Sequence, residues 1–446
     1  MSLKQVLIIQ TDDLYFLHET LQVLSHNTSA FTEYELTFLV TQKNREALEN
    51  NGLAFPPGTT TDVDKVLHKE FDLSFNLSLN EKAWEIHRDV RCARKSGPFY
   101  QGHELIVNGV WPAWFLTFKG NTPFVTFHMR EIYRNILGVK RRNPEGEPTG
   151  LAKTLIIGMF SPDFFPPDQQ EAFLSGLVRR FPGVQVLDES EVIIDQNHSD
   201  SLYIGPSSLK ALLLCESGAR GIYFGSRFQG LNLLPEKEGT MLITTGGKKM
   251  EAQSLLGVLE IILKEKEMNP ADHLNIYRLS MENTFGAYLQ CLSGGEVAYP
   301  FYQAHLVLWN YLLNLLDVNL DIVPLNVEQR SILELQTEIV TKLLRLHDYA
   351  MVALDGVYKE AKNPEADADK IQKSLTTLQE VDETMDKISA TNPFIRPVLD
   401  FYKIRKGQTA GETLLEKSQN SLLTYSEEHQ ALKAYEELLL AIAARK

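Results

Sequence analysis

Hydrophobic positions follow two rhythms along the chain, and the change of rhythm divides it. Val6-Leu-Ile-Ile-Gln10 is a short β-branched run, and behind it Leu14, Leu17, Leu21 and Leu24 recur at three- and four-residue spacing. A strand followed by a helix is the expected outcome. The alternation continues through strand 35–40, helix 43–50, strand 71–77, helix 81–93, strand 104–107 and an aromatic-rich segment. Runs that are apolar throughout, rather than every second residue, suit a parallel sheet covered on both faces.

A second series begins after the linker Arg142-Asn-Pro-Glu-Gly-Glu-Pro-Thr-Gly150, with strands expected at 154–158, 183–187, 201–204, 221–224 and 240–244. Helices are expected at 167–181, 206–217 and 250–267. From about Ala271 the strand signal fades. Between Asn326 and Lys362, Val327, Ile332, Leu335, Ile339, Leu343, Leu346 and Tyr349 fall on one broad helical face. Further helices follow breaks at Asn363-Pro364, Asn392-Pro393 and 407–411. The architecture expected is α/β: two Rossmann-like domains, 1–145 and 151–270, then an all-helical extension, 271–446. Two such domains enclose a cleft, with ligands at the carboxyl ends of the strands. The extension is expected to pack on its own chain or mediate self-association, with a partner-binding surface as the alternative.

Composition adds limits. A chain of 446 residues, 43% hydrophobic and 23% charged, is long enough for several buried cores and ordinary for a globular protein. Cys92, Cys215 and Cys291 are widely spaced and odd in number, so neither a disulfide framework nor a zinc site is indicated. A reducing, cytoplasmic setting is expected. The first apolar run is cut by Asp12 and Asp13, unlike a signal peptide. The apolar stretch 304–316 is interrupted by Asn310 and Asn314 and is too short to span a bilayer. Membrane contact, if made, is peripheral.

The formal net charge of −14 disfavours a generic nucleic-acid binder. Yet residues 81–142 hold eleven Lys/Arg against five acids. A basic island in an acidic chain points to a local anionic partner, a phosphate-bearing ligand or a charged lipid surface. A solvated basic face is the competing explanation.

Candidate chemistry sits at strand ends. Asp12 and Asp13 follow the first strand, at the mouth of the expected cleft, where a general base would take a proton from an acceptor hydroxyl. Glu19 and His18 lie deeper in the next helix. Capping of that helix accounts for at least one aspartate. In the second lobe Ser207 and Ser208 open a helix after a Gly-Pro turn, a geometry suited to phosphate. Gly225, Ser226 and Arg227 follow the next strand, and Gly246, Gly247 and Lys248 the last, pairing permissive backbone with cations. No P-loop or GxGxxG pattern is present, so ATPase and dehydrogenase readings are weak. Trp111, Trp114, Phe115 and Phe118 make one aromatic helix face. With Arg130, Arg134, Lys140, Arg141 and Arg142 nearby, this is the composition of an interfacial membrane contact or an amphipathic-acceptor site; plain core packing is the other reading. Asp62-Val-Asp64 is too short a pattern to indicate a metal.

Together these features resemble the heptosyltransferase-like glycosyltransferases of family nine over roughly Val6 to Lys266. The resemblance rests on Val6–Gln10 with its trailing helix, Phe71-Asp-Leu-Ser-Phe-Asn-Leu77, Phe164-Phe-Pro-Pro-Asp168, Tyr203–Ser226, and the stretch from Glu104-Leu-Ile-Val-Asn-Gly109 through Arg130-Glu-Ile-Tyr-Arg134. It implies the GT-B fold of two Rossmann domains. It also implies inverting, metal-independent transfer of a sugar from a nucleotide-diphosphate donor to a lipopolysaccharide core or similar bacterial cell-envelope glycan or glycolipid. Neither metal nor other cofactor is implied.

The chain departs from the family pattern at chemical positions. Tyr15 and Phe16 stand where the family carries Gly-Asp, the Asp being its proposed base, and Gly205-Pro-Ser207 replaces Asp-Thr-Gly. The phosphate-contacting Lys expected beside the aromatic-Pro pair is missing from 161–165. Two readings stay open. In one, Asp12 or Asp13 replaces the lost base while Ser207, Arg227 and Lys248 hold the donor. In the other, a degenerate GT-B body binds a nucleotide sugar or glycan, or acts as a scaffold through its helical extension.

Overall fold

A computed structural model describes residues 3–50, 53–121, 128–139, 152–194, 196–225, 234–235, 239–245, 248–263, 275–280, 288–293, 330–392, 395–408 and 411–444. The chain divides into two compact units, 1–102 with 125–299, and 103–124 with 300–446.

The first unit carries two Rossmann-like sheets. The strands of one are β1 (Lys4–Ile9), β2 (Tyr34–Leu39), β3 (Thr59–Thr60), β4 (Glu70–Asn76) and β5 (Arg91–Gln101), in the order β3-β2-β1-β4-β5 and all parallel. Val6, Leu7, Ile8 and Ile9 are buried, as a strand covered on both faces requires. Between strands run α1 (Leu14–His26), α2 (Gln42–Glu49), α3 (Val63–Leu67) and α4 (Glu81–Asp89). Each opens on a side-chain cap: Asp13, Thr41, Asp62 and Asn80 accept bonds from the free N–H groups of the first turn.

Strand β5 falls partly where a longer helix was expected, since α4 stops at Asp89. Its sequence, Arg-Cys-Ala-Arg-Lys-Ser-Gly-Pro-Phe-Tyr-Gln, has no apolar run. Pairing with β4 supplies what the pattern lacks, helped by buried polar bonds. Asn76 Nδ2 and His87 Nδ1 both donate to the Pro98 carbonyl, at 2.9 and 3.0 Å, and His87 Nε2 accepts from the Ser74 hydroxyl at 2.9 Å.

The second sheet contains β7 (Thr154–Ile157), β8 (Gln185–Asp188), β9 (Ser201–Gly205), β10 (Arg220–Gly225) and β11 (Met241–Thr244), parallel in the order β8-β7-β9-β10-β11. Two antiparallel strands, β12 (Asn275–Ser280) and β13 (Tyr288–Ser293), extend it past β11. The sheet therefore runs beyond the boundary expected at 270. Helices α7 (Pro167–Arg180), α8 (Leu209–Glu216) and α9 (Ala252–Leu263) belong to this lobe, and α6 (Met129–Leu137) precedes it. Phe165, Phe173, Leu177, Ile204, Ile222 and Leu255 share one core. The rings of Tyr203 and Tyr223 lie 5.6 Å apart, both buried. Gly158, Gly205 and Gly221 make room for them, since a Cβ at any of the three would fall within 2.1–2.6 Å of a tyrosine atom.

The second unit joins β6 (Glu104–Asn108) and α5 (Val110–Asn121) to the helices α10 (Arg330–Lys362), α11 (Ala368–Thr391), α12 (Arg396–Gly407) and α13 (Leu414–Ala444). Trp114 of α5 meets Phe401 of α12 edge to face at 5.6 Å, and both are buried. The aromatic helix is thus core for the helical unit at Trp114; Phe115 is buried too, Trp111 is half-buried, and the Phe118 side chain lies outside the described residues. On α10 the inward line is Gln336, Val340, Leu343, His347, Ala350, Leu354 and Val357; Leu335 and Tyr349, expected inside, are exposed. The seam is read correctly only when a glutamine and a histidine count as core. His347 lies 3.3 Å from buried Glu428 of α13, and Lys406 of α12 lies 3.4 Å from the same carboxylate. Among the described residues no helix is long and apolar enough to cross a membrane.

Burial pushes the His87 imidazole down to about 4 from 6.5, the Lys95 charge adding to it and the Pro98 bond opposing it. The folded state therefore needs the neutral ring, and the unfolded chain takes up the proton first. Stability should be full above pH 6.5 and fall by up to roughly 3 kcal/mol as pH drops towards 4. Urea titrations across that range should show this fall and show it reduced in His87→Gln; an equal fall in both chains would place the acid sensitivity elsewhere.

Candidate active site

In the first sheet the strand order reverses between β1 and β4, the switch point at which open α/β sheets bind ligands. The loops leaving these strands, 10–13 and 77–80, are laced together. Gln10 Nε2 donates to the Leu77 carbonyl (2.8 Å) and the Tyr133 hydroxyl (2.9 Å), and the Thr11 N–H to Ser78 Oγ (2.9 Å). Asp12 is half-buried, its Oδ2 accepting from the Leu79 N–H at 2.7 Å and its Oδ1 from Asn80 Nδ2 at 2.8 Å. Asp13 is exposed and caps α1, Oδ1 accepting from the N–H groups of Tyr15 and Phe16. Of the two candidate bases, only Asp12 is aimed by the loop of a neighbouring strand.

Behind this edge lies a buried ionic cluster. Arg130 of α6 grips the Glu19 carboxylate of α1 through Nε at 2.7 Å and Nη2 at 3.1 Å, and Nη2 also reaches Glu216 at the end of α8, at 2.8 Å. Glu19 and His18 are fully buried, and Arg130 nearly so. Burial alone would raise the Glu19 carboxyl; Arg130, with His18 and His128 close by, holds it well below the usual carboxylate range. His128 Nδ1 accepts from the Arg130 N–H, so the ring proton sits on Nε2, which faces the Leu234 carbonyl. The Tyr15 hydroxyl is buried beside this cluster without a hydrogen-bond partner among the described residues, and burial followed by the Glu19 charge raises its pKa far above 10.

These placements remove two residues from the exposed basic island. Arg130 is tied to Glu19 and Glu216, and Arg134 to Glu131 at 2.7 Å, all but Glu216 buried. Their charge is met inside the protein rather than shown to an anionic surface. Lys140, Arg141 and Arg142 lie outside the described residues.

In the second sheet the order reverses between β7 and β9. Ser208 caps α8, accepting from the Ala211 N–H at 3.0 Å, and its hydroxyl donates to Glu189 Oε1 at 3.1 Å. The Tyr203 hydroxyl lies 3.3 Å from Glu189 Oε2 and 2.9 Å from the Pro206 carbonyl. Glu189 follows β8 directly and is half-buried, a carboxylate set among hydroxyls at the switch point. Sequence reasoning passed over it. Its position immediately after the strand beside β7 is the signal that could have found it. Ser207 stands in the same turn, and Gly225 ends β10 and accepts from the Thr245 N–H at 3.3 Å. Lys248 is exposed in the turn after β11. Ser226, Arg227, Gly246 and Gly247 lie outside the described residues. Among the described residues no group of three or more His, Cys, Asp and Glu could hold a metal ion.

No protein-family model and no curated protein matches this sequence. Among solved structures, a family-nine glycosyl transferase from Veillonella parvula DSM 2008 is similar at 12% identity and a TM-score of 0.37, over 60% of this chain and 99% of that one. The E. coli heptosyltransferase WaaC is similar in two complexes. With ADP, the figures are 10% identity, TM-score 0.37, and 58% and 98% of the two chains. With ADP-2-deoxy-2-fluoro heptose, they are 9%, 0.34, and 57% and 99%.

Arg130→Met should lower stability by about 3–5 kcal/mol in urea unfolding at pH 7, because it leaves buried Glu19 without its counter-charge. Arg130→Met with Glu19→Gln should recover part of that loss. A double variant no more stable than the single would show that Glu19 is not the group left stranded.

Proposed function

We propose that this protein is glycosyltransferase-like and binds a nucleotide-diphosphate sugar at the carboxyl edge of the second sheet. The observation that carries the reading is Glu189, held beside Ser208 and the N-terminus of α8 at that sheet's switch point. A carboxylate accepts hydrogen bonds and cannot favour phosphate, whereas a sugar or ribose offers paired hydroxyl donors. Glu189 would take the hydroxyl-rich part of the donor. The diphosphate would fall to the backbone of Ser207, Gly225, Ser226, Gly246 and Gly247 and to the cations Arg227 and Lys248.

On the acceptor side, Asp12 would take the proton of the attacking hydroxyl as its oxygen bonds to the anomeric carbon and the nucleoside diphosphate departs. Asp13 would serve as a cap alone. The acceptor would be an anionic cell-envelope glycan or glycolipid, met by Lys140, Arg141 and Arg142 from the cytoplasmic face of the inner membrane. A second reading has a specific observation in its favour. Both Asp12 oxygens already accept bonds from the β4 loop, which engages lone pairs that a base would turn to the acceptor hydroxyl. On that reading the body binds nucleotide sugar without turning it over.

Thermal-shift titration with a panel of nucleoside diphosphates and their sugars should raise Tm, with the rise abolished in Glu189→Ala and Arg227→Ala. No response to any nucleotide would sink both readings. Release of nucleoside diphosphate separates them: turnover that falls about a hundredfold or more in Asp12→Asn, at unchanged binding, marks the transferase. Binding without release marks the degenerate body.

A further inference from the structure

A cavity of about 740 Å³ opens at the other end of the first lobe from Asp12. It lies against the starting half of β2 and the second half of α1, while Asp12 follows the carboxyl end of the parallel neighbour β1. Its walls are mostly apolar: Leu21 and Leu24 of α1, Phe31, Tyr34 and Leu36 of β2 and its approach, and Phe55 of the loop before β3. The size is that of a small-molecule site.

The wall is built in rather than left by a slack loop. Pro56 and Pro57 stiffen the segment, and the Pro56 carbonyl accepts from the Thr59 hydroxyl at 2.7 Å. Gly58 holds a left-handed φ of 86° and lies so close to β2 that a Cβ there would sit 2.1 Å from the Leu36 carbonyl oxygen. No other residue type fits, and the loop is fixed at its distance from α1.

Charge is confined to one side of the opening. Lys69 Nζ donates to Glu35 Oε1 at 3.1 Å and Thr37 Oγ1 at 3.2 Å and lies 5.5 Å over the Phe71 ring, so that among the described residues two of its three donors are used. Lys65, one turn of chain away on α3, is exposed and lines the same opening. Two ammonium groups against one carboxylate give the mouth a net positive charge above an apolar interior.

We propose that this cavity binds a free single-chain amphiphile with an anionic head, its tail among Leu21, Leu24, Leu36 and Phe55 and its phosphate or carboxylate between Lys65 and Lys69. The site is separate from the nucleotide-sugar reading and does not depend on it.

Calorimetric titration of the full chain with dodecyl phosphate and dodecanoate tests this, with dodecanol, inorganic phosphate and phosphatidylglycerol vesicles as comparison probes. Both anionic chains should bind, dodecanol about tenfold more weakly, and inorganic phosphate not at all. Lys65→Glu should weaken dodecyl phosphate about tenfold and leave dodecanol unchanged. Leu36→Trp, and, should the first fail to fold, Ala54→Trp on the wall next to Phe55, would fill the cavity and abolish binding of every chain while preserving cooperative melting. Failure of both anionic chains to bind, undiminished binding in a folded filled variant, or capture by vesicles in preference to free amphiphile would each overturn the proposal.

Discussion

The Arg130 guanidinium is the interaction on which the two-sheet body depends. It joins α1, which follows the first strand of one sheet, to α6 and to the end of α8 in the other. A charge nearly removed from water is tolerable only with its partners in place, and here two carboxylates and a bidentate geometry meet that condition. Glu19 in turn depends on Arg130, since burial would otherwise force the carboxyl to keep its proton. The loops carrying Asp12 and Ser208 therefore hang from elements that share one buried counter-ion.

Much of the fold was legible because parallel strands are apolar throughout. Val6–Ile9, the strand at 71–77 and the second-lobe series fell close to their observed places, and so did the helices that capping residues announce. What escaped was structure stabilised by something other than its own sequence pattern. Strand β5 is polar and exists because β4, Asn76 and His87 hold it. Strands β12 and β13 continue a sheet nucleated elsewhere. In α10 the apolar pattern was right at Leu343 and offset around it, since Gln336 and His347 are inside and Leu335 and Tyr349 are not.

Legibility of the candidate site divides the same way. Residue type and strand-end position led to Asp12, Asp13, Ser207 and Ser208, which follow β1 and β9, strands at the two points where the order reverses. They could not say which lone pairs would remain open, because that depends on partners distant in sequence, such as Leu79 and Asn80 for Asp12 or Glu189 for Ser208. The net charge of residues 81–142 carried the same ambiguity. A count of positive side chains does not distinguish Arg130, enclosed by acids, from a residue that faces water.

The polar members of the helical unit's seam have a consequence of their own. Helices α10 and α13 run antiparallel, as the pairing of Gln336 with Tyr435 and of His347 with Tyr425 and Glu428 shows. Buried positions recur on both at alternating three- and four-residue intervals, the repeat of a coiled coil. A purely aliphatic seam of that kind could slide by one heptad at small cost, since each knob would find an equivalent hole. With His347 and Glu428 in it, and Lys406 of α12 beside them, any such slip would leave a carboxylate among apolar side chains. The trio acts as an alignment mark, which gives two long helices a single mutual offset out of several that their hydrophobic pattern would accept.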